Sequence, residues 1–168
     1  MPDPAPGPLH LVRSLANTLS ADPQTDLLST REEAAAWLRT AGLLAAEAGL
    51  SNSEHAALLR LRESVRDVLA AHAAGRDDAE ATAGLTKALA EGRLVVIVDP
   101  DSTVRLASAA RSSYPGIVAA FAVAIADSAA AGTWLRLKSC PAPGCGQAFY
   151  DESAAADAGR CPAHGAAR

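Results

Sequence analysis

Apolar side chains recur with a helical period over most of the first ninety residues. Leu9, Val12, Leu15, Ala16 and Leu19 fall on one face and predict a first helix from Leu9 to Leu19, ended by Asp22-Pro23. Thr30 followed by Glu33 has capping-box spacing, and Ala34, Trp37, Leu38 and Ala41 continue as the apolar face of a second helix that stops at Gly42. The longest pattern follows a cap at Ser51-Asn52-Ser53-Glu54. Leu58, Leu61, Val65, Val68, Leu69 and His72 hold one face over about five turns. Arg60, Arg62, Glu63, Arg66 and Asp67 read as its solvated side. A fourth helix is predicted from Ala79 to Ala90.

The period then changes. Leu94-Val95-Val96-Ile97-Val98 is β-branched and too short for a helix, and Asp99-Pro100-Asp101-Ser102 supplies a turn. Val104 and Leu106 make the return strand, so a hairpin is predicted at about 93–108. Two strands alone are marginal. A helix from Tyr114 or Pro115 to Ala131, with Ile117, Phe121 and Ile125 on its apolar surface, is expected to cover them. Beyond Gly132 the chain turns Gly-, Pro- and Cys-rich, which marks a boundary near Gly132 to Leu135. The expected organisation is a disordered Pro-rich leader at 1–8, a helical domain with one hairpin at 9–133, and a small module at 134–168. The fold class is α+β and mainly helical.

Composition agrees with that class. Roughly a quarter of the 168 residues are Ala and only 4% are aromatic, which suits closely packed helices and not an all-β fold. No apolar run approaches the roughly 18 residues of a membrane span. The N-terminus lacks the basic and apolar regions of a secretory signal. A net charge of −4 gives no global attraction to nucleic acid or anionic membrane. All three cysteines lie beyond residue 139, which argues for a local site in a reducing cytoplasm and against a disulfide framework. No nucleophile elbow, phosphate loop or His-Glu-x-x-His motif is present, so no enzyme activity is expected.

The chemistry concentrates in the last module. Cys140 and Cys145 are separated by four residues, fifteen more lead to Cys161, and His164 follows two residues later. Two close pairs of thiolate and imidazole ligands suit tetrahedral zinc, and Gly144 and Gly146 allow a tight knuckle. About thirty residues so poor in large apolar groups need a metal to fold. The reading is one structural zinc per chain on Cys140, Cys145, Cys161 and His164. An iron–sulfur centre, haem, or three free thiols beside a surface His are the alternatives. His72 reads as a satisfied half-buried side chain, Trp37 and Trp134 as core anchors, and Asn17-Thr18 as a helix-end pair.

The stretch Leu137-Lys138-Ser139-Cys140-x4-Cys145-Gly146-x-Ala148-Phe149-Tyr150-Asp151 resembles the zinc-finger segment of the bacterial CGNR proteins, stress-induced transcription regulators with an N-terminal ABATE domain. Leu15-Ala16-Asn17-Thr18-Leu19, Asp26-Leu27-Leu28, Ala36-Trp37-Leu38 and Ala41-Gly42-Leu43 are similar to the opening pattern of that domain. The resemblance implies an ABATE-like helical domain, a zinc module and DNA as partner, with contacts from Arg136, Lys138 and Arg160. The family's second half-site is a Cys pair followed by Gly-Asn-Arg and a basic helix. Here Cys161 is followed by Pro162-Ala163-His164-Gly165. From Arg136 onward four positive side chains face three negative ones, a balance of +1. Nonspecific DNA affinity rests on cation–phosphate contacts, so only weak DNA binding is expected. A second reading is a protein-interaction or effector-sensing adaptor, acting through a protein partner or a homodimer, whose zinc only staples the module.

Overall fold

The computed structural model describes residue 5 and residues 7–20, 25–110 and 113–165. Residues 1–4 and 6 of the expected leader lie outside these, as does the stop expected at Asp22-Pro23. Ala5 packs on the core. Five helices and two two-stranded sheets are present among the described residues.

Helix α1 (Leu9–Ala16) buries Leu9, Val12, Leu15 and Ala16, and ends three residues before the expected Leu19. The cause is local. The Asn17 side chain bonds to a distant strand, and Leu19 forms an antiparallel bridge with Asp26. Helix α2 (Arg31–Thr40) and helix α3 (Asn52–Ala74) start as expected. Thr30 and Ser51 each accept a backbone N–H from the glutamate three residues on, and Glu33 and Glu54 reach back to the cap N–H. Gly75, at φ 61°, ends α3 in the left-handed conformation that glycine adopts without strain. Helix α4 (Ala79–Leu89), capped by Asp78, packs against α3.

Strands β1 (Leu94–Val98) and β2 (Val104–Ser108) pair antiparallel, with Val96 opposite Leu106. Helix α5 (Tyr114–Ala130) has Pro115 in its first turn and buries Ile117, Val118, Phe121 and Ala124. It covers the hairpin only in part. The α5 contacts fall mainly on β2, while Val96, Val98 and Val104 are each about two-thirds exposed. Gly116 lets α5 begin this close to the end of β2, because a Cβ there would stand 1.8 Å from the Ala110 carbonyl oxygen.

A 3-10 turn (Trp134–Arg136) leads into β3 (Leu137–Ser139), which pairs antiparallel with β4 (Ala148–Tyr150). The main core is built by α1, α3 and α5, and β3 lies directly on α3. Leu137 is fully buried in that core, so packing continues across the expected boundary near Gly132.

Candidate metal centre

The hairpin β3–β4 carries the first ligand pair at its tip. The Cys140 N–H donates to the Gln147 carbonyl and the Cys145 N–H to the Ala142 carbonyl, each at 2.9 Å, which curls the chain into a knuckle. Gly144 and Gly146 take φ of 74° and 60° within it. The second pair sits on a separate turn, where the His164 N–H donates to the Cys161 carbonyl at 2.9 Å.

These two turns bring the four expected ligands together. One ligand atom from each of Cys140, Cys145, Cys161 and His164 lies within 4.8 Å of the others. Cys145 Sγ is 3.9 Å from Cys161 Sγ, and His164 Nδ1 is 3.3 Å from Cys161 Sγ and 3.9 Å from Cys140 Sγ. Zinc–sulfur bonds of about 2.3 Å and zinc–nitrogen bonds of about 2.0 Å set S···S and S···N tetrahedral edges of ~3.8 Å and ~3.5 Å. The donor set therefore fits one tetrahedral ion. All three cysteines are free and buried, packed with Phe149 in a small satellite core, and His164 is at the surface.

Burial opposes ionisation of Cys140 and Cys161. At Cys140, hydrogen bonds from the backbone of Cys161 and Ala142 outweigh it and hold the thiol below its ordinary value. At Cys161 burial prevails and the thiol is pushed up to about 11. A metal must displace that proton.

The loop that delivers Cys161 is tied down by a buried ion pair. Lys138 Nζ donates to Asp151 Oδ2 and to the Ala156 carbonyl, both at 2.7 Å, and to the Ala158 carbonyl at 3.3 Å. Asp151 accepts the Ala158 N–H at 2.8 Å and the Ser153 N–H at 3.0 Å. Burial alone would raise the Asp151 carboxyl. The Lys138 and Ser153 hydrogen bonds outweigh it and hold the group below its ordinary value. Arg136 donates to the carbonyls of Asp151 and Ser153 at 3.1 and 2.8 Å. Of the three cations expected to face DNA, two are thus spent inside the module, and Arg160 is exposed.

Other side chains hold the module against the helices. Asn17 Nδ2 donates to the Ala148 carbonyl at 2.9 Å, and Asn17 Oδ1 accepts the Ala148 N–H at 2.7 Å. Arg66 donates to the Ala16 carbonyl at 2.9 Å, and its guanidinium lies where a Cβ at Gly146 would come within 2.7 Å. The sequence offered Asn17 only as a helix-end polar group and Asp151 only as the end of the motif stretch. His72 matches its expected role: Nδ1 donates to the Leu137 carbonyl at 2.9 Å, and the ring meets Trp134 edge to face. The solvated face expected on α3 is corrected at Arg62. It is 5% exposed and donates to Asp26 at 2.6 Å and to Glu63 at 2.8 Å.

The family model described as "Putative stress-induced transcription regulator", ABATE, matches residues 9–132, about three-quarters of the chain. The chain belongs to the ABATE family. In this ABATE protein the matched region covers α1 to α5, and all four metal-site residues follow it. The Cys3His cluster is consistent with a zinc finger of the CGNR type. No match was found among curated proteins. No helix among the described residues is long and apolar enough to cross a membrane.

Proposed function

We infer that this ABATE protein is a non-enzymatic transcription-regulator-type protein of the cytoplasm. One structural zinc on Cys140, Cys145, Cys161 and His164 staples its C-terminal module. The observation that carries the reading is the closed donor set: four protein atoms within 4.8 Å, three of them buried thiol sulfurs. Four protein ligands leave no position for a substrate water. The metal supplies cross-linking free energy to a segment with little core of its own. Metal analysis of purified protein tests this. About one zinc per chain is expected, and iron or no metal overturns it.

The engaged state of Arg136 and Lys138 favours the adaptor reading over direct DNA contact. Among the described residues of this module, a DNA contact would rest on Arg160, three residues after the acidic Asp157, and one cation gives little counterion release. The regulator then acts through a partner protein or an effector. A DNA shift assay across a salt series separates the readings: binding at low salt that Arg160→Ala abolishes restores the DNA-contact reading.

A further inference from the structure

A cleft of about 1130 Å³ opens between the C-terminal end of α3, helix α4, Trp134 and the loop at 156–159. Leu85, Leu89, Ile125, Trp134 and Leu135 line it, and Leu135 is left 68% exposed at the rim. The volume lies just above the usual range of small-molecule sites, about 300–1,000 Å³. Most polar groups around it are already satisfied. Arg76 pairs with Asp78 at 2.8 Å, and Lys138 spends its ammonium on Asp151 and two carbonyls. The Thr82 and Thr86 hydroxyls donate to carbonyls one turn back in α4 or at its cap.

Asp77 is left as an exposed carboxylate, and His72 is the half-buried exception. The Leu137 carbonyl can only accept, so Nδ1 carries the proton and Nε2 is a bare acceptor with no protein partner among the described residues. Burial holds the ring below the ordinary imidazole value of 6.5, which keeps it neutral at pH 7. Charge narrows the ligand further. Asp77, Asp78 and Asp157 line the cleft, and both lining cations are paired. An anion is disfavoured.

We propose that this cleft binds a neutral, largely apolar small molecule whose single hydroxyl or amine N–H donates to His72 Nε2. The site gives the effector-sensing reading a ligand class and rests on that reading only for what binding signals. Its walls come from both parts of the chain. The α3–α4 side belongs to the ABATE region, and the 156–159 loop leads to Cys161. An occupant therefore braces the loop that delivers the third cysteine.

N-Phenyl-1-naphthylamine, neutral and with one N–H, is a direct fluorescent probe for titration into the full zinc-loaded chain. Saturable binding with a Kd of roughly 10 μM is expected. Thr86→Trp, at an exposed position on the α4 wall, should fill the cleft and weaken binding at least ~10-fold, a change of about 1.4 kcal/mol, with circular dichroism and zinc content unchanged. The N-methylated probe, which lacks the donor, should bind several-fold more weakly. Val96→Lys, on the exposed hairpin, should change nothing. No saturable binding overturns the proposal. So does binding that ignores Thr86→Trp and disappears with Val96→Lys, and equal affinity for the methylated probe removes the role of His72. A negative DNA shift leaves all these readouts intact.

Discussion

Lys138 Nζ and Asp151 Oδ2 lie 2.7 Å apart with side chains 9% and 0% exposed, one on β3 and one just past β4 of the hairpin that carries the first ligand pair. A lysine in that position is a structural strut. Lys138→Met leaves a buried carboxylate without its cation, which typically costs about 3–5 kcal/mol. Denaturant unfolding should show a loss of that order, and zinc affinity should fall with it. Replacing Asp151 by Leu in the same chain should recover part of the loss, since the orphaned charge is then gone. A Lys138 whose removal leaves stability untouched would contradict the strut.

The metal itself should carry much of the module's stability. Cys145→Ser should reduce zinc to well under one per chain, and a strong chelator should do the same to the unaltered protein. Thermal unfolding of either should begin at a lower temperature. The signal from Trp134, which stands at the start of the module, should change before that from Trp37 in α2.

Arg62 and Asp26 form a second buried anchor. Burial alone would raise the Asp26 carboxyl. The Arg62 hydrogen bond outweighs it and places the group below its ordinary 3.8. A depressed carboxyl contributes stability above its unfolded value and loses it as pH falls through the folded one. Acid unfolding should therefore show a contribution from this pair that is intact at neutral pH and fades below about pH 4. Asp26→Asn should cost about 2–3 kcal/mol at pH 7, less than a fully buried pair because Asp26 keeps some water contact. It should also flatten that part of the pH profile.

Asn17 imitates a strand edge for Ala148. Asn17→Ala removes both bonds and leaves the Ala148 N–H without a partner, a loss of about 2 kcal/mol. Asn17→Asp keeps the size but sets an oxygen against the Ala148 carbonyl, so it should be no milder. Hydrogen exchange at Ala148 should speed up in both variants.

Much of this was legible in the chain because the signals were local. The two capping boxes, Thr30 with Glu33 and Ser51 with Glu54, fixed the starts of α2 and α3. The spacing of Cys140, Cys145, Cys161 and His164 placed four ligands on two turns. What the chain concealed depends on partners distant in sequence. Arg62 stands beside the apolar stripe of α3 and reads as solvated until Asp26 arrives from 36 residues away. Lys138 and Arg136 count as surface cations until the 151–158 loop folds over them. The early end of α1 depends on Ala148, 131 residues further on. The exposed valines of the β1–β2 hairpin were hidden for the opposite reason. Their pattern promises burial, and α5 packs mainly on one strand.

Leu137, fully buried against α3, gives synthesis an order. The helices leave the ribosome first, yet one side of their core stays wet until β3 follows. The cysteine knuckle emerges a few residues later. The strand that completes the helical core therefore belongs to the hairpin that carries the first ligand pair, and the metal site closes only when Cys161 and His164 follow, 24 and 27 residues after Leu137; a shortage of zinc leaves that hairpin without its staple.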